Sequence, residues 1–291
     1  MESQLVEECP ICGNRQFTSE LHLRDYAASH REFMIKSCTN CHLWLTNPRP
    51  QEQELAQYYT TSAYISHQKK SNSLLDTCYF LARRLMLHRK LRLIEMSHSK
   101  GRLLDYGCGT GAFLDLARRK GWQVCGYEPS LQARHAANPN LNIAATPTEL
   151  SGQYDVITLW HVLEHIPHLI EDLQRISSLL KPGGLLIVAV PNRESWDADH
   201  YGSAWAGFDV PRHLWHFSRS NIAALFSNLQ LSPLATKPLL LDSFYVSILS
   251  EQYLKTPAPL ALVKGAFAGL WSNLAARWSG HYSSLIYFAR K

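Results

Sequence analysis

The chain has 291 residues, a formal net charge of +5 and 11% aromatic residues, which is enough for one large domain or two smaller ones with a full core. No uncharged apolar run reaches the roughly 20 residues that cross a bilayer. The nearest, Ala258 to Ala276, carries Lys264, and the acidic opening MESQLVEECP lacks the apolar centre of a secretory signal. A soluble, cytoplasmic protein is expected.

Residues 1–50 hold two C-x-x-C pairs, Cys9-Pro-Ile-Cys12 and Cys38-Thr-Asn-Cys41, around an alternating segment, and end at the break Asn47-Pro48-Arg49-Pro50. In a reducing compartment such pairs suit a metal better than disulfides. Four thiolates close a tetrahedral zinc site and leave no position for substrate, so a structural, zinc-ribbon-like module is expected. His42 stands where many zinc knuckles have glycine, which leaves Cys41 and His42 as rival fourth ligands.

Residues 51–100 read as a helical linker or cap, with Leu74, Leu75, Cys78, Leu81, Leu85 and Met86 recurring at helical spacing. Lys69, Lys70, Arg83, Arg84, Arg89, Lys90, Arg92, Lys100 and Arg102 meet only Asp76 and Glu95 along the same stretch. A solvated helix face is the plain reading, and a surface for phosphates or anionic lipid the alternative.

From 101 to 291 strand and helix signals alternate. RLLDY (Arg102–Tyr106), QVCGY (Gln123–Tyr127), YDVITL (Tyr154–Leu159) and LLIVAV (Leu185–Val190) read as strands; Ala112–Lys120 and Leu169–Leu180 read as helices, the second stopped by Lys181-Pro182-Gly183-Gly184. That order predicts a doubly wound, mostly parallel α/β sheet. Two inserts interrupt the last third. Residues 192–216 are crowded with Trp196, Tyr201, Trp205, Trp215, His200, His213 and His216, and read as a lid in which Arg193 and Arg212 clamp an anionic acceptor. Residues 242–282 read as a helical hairpin around Pro257 and Pro259. Its second helix lines up Leu260, Val263, Phe267, Leu270 or Trp271, Leu274 and Trp278 on a stripe expected to be buried on its own domain or a second subunit, or to lie on a membrane surface. SSLIYFAR (Ser283–Arg290) is the expected last strand.

Asp105-Tyr106-Gly107-Cys108-Gly109-Thr110-Gly111-Ala112 sits at a strand-to-helix turn, where glycines let a ligand approach the backbone beside a helix N-terminus. Glu128 ends the next strand, where a carboxylate suits the two hydroxyls of a ribose. LLDYGCGTG, GYEPS, YDVITLWHVLEH, LLKPGG and AVPN follow the order and spacing of class I S-adenosylmethionine-dependent methyltransferases, which residues 100–191 resemble. The chain further resembles a branch of that superfamily with a C-x-x-C/C-x-x-C segment and an NPRP break before the fold and D-x-P-R-H-L-x-H-F-S, here Asp209–Ser218, after it. The resemblance implies a Rossmann-like sheet and S-adenosyl-L-methionine held by Asp105, Gly107, Cys108, Gly109, Gly111, Glu128, Pro129, Thr146, Trp160 and His161.

LWHVLEH (Leu159–His165) also contains H-x-x-E-H, the string of inverted zinc peptidases, but Pro167 forbids the long helix such a site needs. The resemblance extends to quinol O-methyltransferases, which carry acidic residues and a histidine at this place and can use a divalent ion. His161 stands where those enzymes have a carboxylate, which disfavours Mg²⁺. Glu164 and His165 fixing the loop by hydrogen bonds is the alternative. His161, His213 and His216 are the candidate general bases, since imidazole titrates near working pH. The expected function is methyl transfer, most readily at oxygen, to a small-molecule or glycan/lipid-linked acceptor, with structural zinc at Cys9, Cys12, Cys38 and Cys41. Peripheral membrane contact and a homodimer are compatible with it. The rivals are an RNA methyltransferase using the zinc module and the basic helix, disfavoured by the modest charge, and a non-catalytic cofactor-binding scaffold.

Overall fold

The computed structural model describes residues 3–59 and 74–291, with the backbone alone for 74–79. Lys69 and Lys70, and the side chains of Leu74, Leu75 and Cys78, therefore lie outside the described residues.

The N-terminal part contains β1 (Ser3–Gln4), β2 (Phe17–Arg24), β3 (Glu32–Cys38), β4 (Trp44–Thr46), β5 (Arg49–Pro50) and α1 (Glu52–Leu55). Helix α2 (Leu74–Glu95) leads into the main sheet. There follow β6 (Arg102–Tyr106), α3 (Ala112–Arg119), β7 (Gln123–Tyr127), α4 (Leu131–His135), β8 (Ile143–Ala144), β9 (Tyr154–Trp160), α5 (Leu169–Ser178) and β10 (Leu180–Pro191). The last third holds α6 (Trp196–Tyr201), β11 (Trp215–His216), α7 (Arg219–Asn228), β12 (Ser232–Pro238), α8 (Asp242–Tyr253), α9 (Ala258–Ser279) and β13 (Ser284–Arg290).

The main sheet runs β12-β13-β10-β9-β6-β7-β8. Strands β6 to β10 pair in parallel, as their crossover helices require, and β13 lies antiparallel between β10 and β12. Strand β12 carries no apolar alternation and escapes a sequence reading, and β10 continues through Lys181–Gly184 with a register shift where a helix stop alone is expected. The apolar strands have two buried faces because both are covered. Leu185, Ile187 and Ala189 pack with Leu91 and Ile94 of α2 and Phe113, Leu114 and Ala117 of α3. Their neighbours Leu186, Val188 and Val190 pack with Leu169, Leu173 and Ile176 of α5 and Ile222, Leu225 and Phe226 of α7. Each such valine, leucine, isoleucine or phenylalanine, fully buried, contributes about 1.5–3 kcal/mol.

The N-terminal sheet, β11-β4-β3-β2, recruits its first strand from beyond the main core. Cys9, Ile11, Cys38, Leu43 and Leu45 also belong to the same apolar cluster as α5 and α7. Residues 192–216 are wedged into this junction: Tyr201, Trp205, Phe208 and Val210 are buried against Leu23 and Ile35 of the N-terminal sheet and Ala268 of α9. The insert is thus a packed wedge rather than a lid laid over a pocket.

Helix α9 packs on α8 through small residues. A Cβ on Gly265 would sit 2.5 Å from Ile248 Cα, and one on Gly269 2.7 Å from Phe244 Cα. This close approach turns Ala261, Ala268, Ser272 and Ala276 inward and the bulky stripe outward. The expectation of a buried bulky stripe is therefore corrected: the helix packs on its own domain by its other face. Among the described residues, no helix is long and apolar enough to cross a membrane.

Candidate active site

The glycine loop and the ends of β7 and β9 meet at the carboxyl edge of the sheet, where ligands of open α/β sheets bind. The backbone amides of Gly107 and Cys108 donate to Tyr127 O at 2.8 and 2.9 Å, which bends the loop over β7. Gly109, at φ 54°, has open space above its Cα, so another chain or a ligand can lie against it. Its amide donates to Glu128 Oε2 at 2.8 Å, and Ser130 N donates to Glu128 Oε1 at 2.9 Å. The carboxylate is fixed at the loop with lone pairs left over. Arg134 braces the following turn by donating to the carbonyls of Glu128 and Pro129 at 2.6 and 2.8 Å. Thr146 lies exposed beyond β8, with its hydroxyl donating to Glu149 at 2.9 Å.

Under the loop, Asp105 is buried and accepts from Thr158 Oγ1 at 2.6 Å. Burial pushes its carboxyl up to about 7, against the opposing pull of Thr158 and Lys90. Burial likewise pushes the Cys108 thiol up, so this cysteine is no nucleophile. Trp160 ends β9 with its ring edge-on to Phe113 and the Lys90 ammonium 4.5 Å over its face. Its buried indole N–H meets no acceptor among the described residues.

Next to Trp160, His161 takes the left-handed conformation at φ 56°, held by its amide donating to Ala189 O at 2.9 Å. Residues with side chains rarely adopt this backbone, and such outliers cluster at functional sites. The turn aims the imidazole between two carboxylates: Nε2 is 2.9 Å from Asp242 Oδ2 and Nδ1 3.4 Å from Glu164 Oε1. Burial opposes its charge, but Asp242 and then Glu164 outweigh it and hold the imidazole up at about 9. A ring already protonated at neutral pH is a hydrogen-bond donor and a cation, so the expectation of His161 as general base is corrected.

Glu164 is buried, and a divalent ion fits its surroundings. Neither of its oxygens accepts a hydrogen bond among the described residues. Ligand atoms of Glu164, His165 and His213 lie within 4.8 Å of one another, and His213 Nε2 is 3.9 Å from both Glu164 Oε1 and Asp209 Oδ2. His165 Nδ1 is 3.0 Å from Arg212 O and 2.9 Å from Tyr59 Oη, and His213 Nδ1 is 2.9 Å from Gly207 O. Donation to these carbonyls fixes the proton on Nδ1 and leaves Nε2 as each ring's free ligand atom, the arrangement metal-binding histidines adopt. The expected loop-fixing contacts are hydrogen bonds for His165 and an ion pair with His161 at 3.4 Å for the Glu164 carboxylate.

Several expected roles fall away. Residues Leu163–His165 form a single 3-10 turn, which ends the peptidase reading. His216 is buried in the β11–β4 pair with Nε2 3.1 Å from Thr46 Oγ1, and burial, then His213, push its pKa well down, so it is structural rather than a base. Arg212 is consumed by Asp209 and Asp25 in a buried ion pair, and Arg193 lies over Trp44 while donating to His42 O at 2.8 Å, so neither clamps an acceptor. The basic stretch is only partly a solvated face: Arg89 donates to Pro238 O at 3.0 Å, Arg102 lies over Tyr154, and Lys90 turns into the site. Lys90 and Asp242 escaped the sequence reading. For Lys90 the signal was its place between Met86 and Ile94 on an otherwise apolar stripe. Asp242 reads as an ordinary acid opening a helix, and only the fold carries it to His161.

The second cluster is the N-terminal one. Cys9, Cys12, Cys38 and Cys41 bring their sulfurs within 4.8 Å of one another, with Cys9–Cys41 at 3.4 Å and Cys12–Cys38 at 3.6 Å. The four cysteines form the set, and His42 stands outside it with its own left-handed turn (φ 55°). Burial pushes the Cys9 thiol up and the Cys41 thiol up to about 11, whereas at Cys38 hydrogen bonds from Cys41 N–H and Asn14 overcome burial and lower the thiol to about 6.

A Rossmann-like sheet of this order, with a glycine loop answered by an acid at the end of the next strand, defines a class of nucleotide-binding α/β folds. The comparisons narrow it. The methyltransferase-domain family matches residues 80–236, and the chain belongs to that family. It is 38% identical over 104 residues to a ubiquinone biosynthesis O-methyltransferase of Caulobacter sp. (strain K31), covering 32% of this chain and 41% of that relative. It is 33% identical over 147 residues to the Erwinia tasmaniensis protein of the same name, covering 43% and 60%. The chain thus spans only about two-fifths to three-fifths of the length of these curated relatives. Among solved structures, magnesium protoporphyrin IX methyltransferase from Synechocystis PCC 6803 with bound SAH superposes with a TM-score of 0.55 at 13% identity, over 82% of this chain and 100% of that one. At that identity the likeness concerns the fold.

Proposed function

We propose that the protein transfers the methyl group of S-adenosyl-L-methionine to a hydroxyl oxygen of a small-molecule or glycan/lipid-linked acceptor. The observation that carries this reading is the Glu128 carboxylate, tied to Gly109 and Ser130 beside open space and facing the ribose-binding position of such folds. The O-methyltransferase names of the relatives support oxygen as the acceptor atom.

The chain's own groups divide the work. The glycine loop and Glu128 hold the nucleoside, and Trp160 with Lys90 forms the wall beyond it. Holding the acceptor oxygen in line with the sulfonium methyl supplies much of the acceleration. His161, held between Asp242 and Glu164, lines the acceptor side of the site, and in this reading the hydroxyl proton passes to water as the oxygen–methyl bond forms and the sulfur–methyl bond breaks. Glu164, His165 and His213 are the residues that would hold a divalent ion, and two imidazoles with one carboxylate suit Zn²⁺, Mn²⁺ or Fe²⁺ better than Mg²⁺. Such an ion, when bound, lowers the pKa of a hydroxyl beside it. Cys9, Cys12, Cys38 and Cys41 hold a structural zinc in this reading. Both the paired cysteines and the Asp209–Ser218 segment support the zinc-ribbon-bearing branch. An RNA acceptor is less well supported, because Arg89, Lys90 and Arg102 are engaged internally.

The test is incubation of the protein with methyl-labelled S-adenosylmethionine and host extract, beside Glu128→Ala, with calorimetric titration of the cofactor. Cofactor binding and label in small-molecule or lipid fractions, both lost in Glu128→Ala, are the expected results. Label in RNA overturns the acceptor class, and binding without turnover would favour a scaffold. The metal is checked separately by titrating Mn²⁺ and Mg²⁺ into wild type and Glu164→Gln, where preferential, Glu164-dependent Mn²⁺ binding is expected.

A further inference from the structure

The outward stripe of α9 is an apolar surface that the site described above does not explain. Leu260, Val263, Phe267, Leu270, Trp271 and Trp278 are all exposed, Phe267 at 69% and Trp278 at 84%. Eighteen residues of helix separate the first from the last, about 27 Å at 1.5 Å per residue. Contiguous apolar surface of this extent on a folded chain marks a docking site.

The charges say what docks. Residues 239–283 contain two acids, and both face inward: Asp242 pairs with His161, and Glu251 accepts from Tyr201 and Thr256. The cations Lys255, Lys264 and Arg277 are all exposed. On a helical wheel Lys264 and Arg277 flank the stripe on opposite sides, with no acid anywhere in α9. A second copy meeting this face would bring cations to cations across an apolar seam, with no carboxylate in either helix to answer them. An anionic bilayer answers both features: its acyl boundary takes the aromatic and leucine side chains, and its headgroups take the flanking cations.

We propose that α9 is a membrane-docking helix that lies in the interface of an anionic lipid surface. It packs on α8 by its glycine face and leaves the bulky stripe for lipid. The inference rests on the surface alone and stands or falls without the methyl-transfer reading, because its readout is binding to vesicles.

The experiment is co-sedimentation of the full chain with phosphatidylcholine vesicles, with and without phosphatidylglycerol. The variants are Phe267→Ser/Trp271→Ser/Trp278→Ser and Lys264→Gln/Arg277→Gln, each checked by its melting curve. The wild type is expected to bind the anionic vesicles and to bind the neutral ones much more weakly. Loss of the two cations is expected to weaken binding about 25-fold, from roughly fivefold per cation, and loss of the three aromatics is expected to abolish it. The Gln variant keeps the test decisive should the Ser variant misfold. Absence of vesicle binding by the wild type, binding indifferent to lipid charge, or a folded Ser variant that binds as well as wild type would each overturn the proposal. A dimer that the Ser variant dissolves, in a protein that ignores vesicles, would assign the face to a second copy instead.

Discussion

Asp105 offers a sharp test of the site's electrostatics, because its cost is readable as stability. The side chain is 3% exposed, and burial raises it from 3.8 to about 7 despite the Thr158 hydrogen bond. A carboxyl raised in the folded state holds its proton there and loses it in the unfolded chain. Its contribution is therefore complete below about pH 3.8 and is gone once pH has risen through about 7. Three pKa units correspond to about 4 kcal/mol in all, of which about 3 kcal/mol falls between pH 5 and pH 8. Asp105→Asn keeps the shape and an oxygen for Thr158 to donate to, but has nothing to ionise. Urea unfolding of the cofactor-free protein across that range should show wild type losing about 3 kcal/mol relative to the variant as pH rises. Parallel curves for the two proteins would refute the reasoning and mean that Asp105 is charged throughout.

Lys90→Met keeps the packing on Trp160 and removes the ammonium. Calorimetry should find S-adenosylhomocysteine bound about fivefold more weakly, as expected if the cation over Trp160 contributes about 1 kcal/mol to the wall of the site, with the melting temperature unchanged or higher. Gly265→Val drives a side chain into the α8 backbone, and a melt should report about 3 kcal/mol lost. Elemental analysis should find one zinc per chain, lost in Cys12→Ser, and chelation should lower the melting temperature, since the cysteines share the core of the main sheet.

Some of this protein was legible in the sequence because it is local. The C-x-x-C pairs, the glycine loop and Glu128 announce themselves through spacing and turn chemistry that hold wherever the segment goes. The parallel strands were legible too, since a strand such as LLIVAV, apolar on both faces, demands cover on both sides. Even the peptidase string was dismissed locally, by Pro167.

What only the tertiary structure decided is where distant segments meet. Asp242 reaches His161 across 81 positions because α8 starts beside the end of β9. Glu164, His165 and His213 converge because residues 192–216 are wedged between the N-terminal sheet and α9. The same wedge absorbs Arg212, expected as an acceptor clamp, and His216, expected as a candidate base. The orientation of α9 was also beyond the pattern. A stripe of large apolar residues predicts burial, yet glycines on the opposite face let the α8 backbone come closer than any bulky packing allows. Periodicity identifies the faces of a helix, and the fit of one backbone against another decides which face is covered.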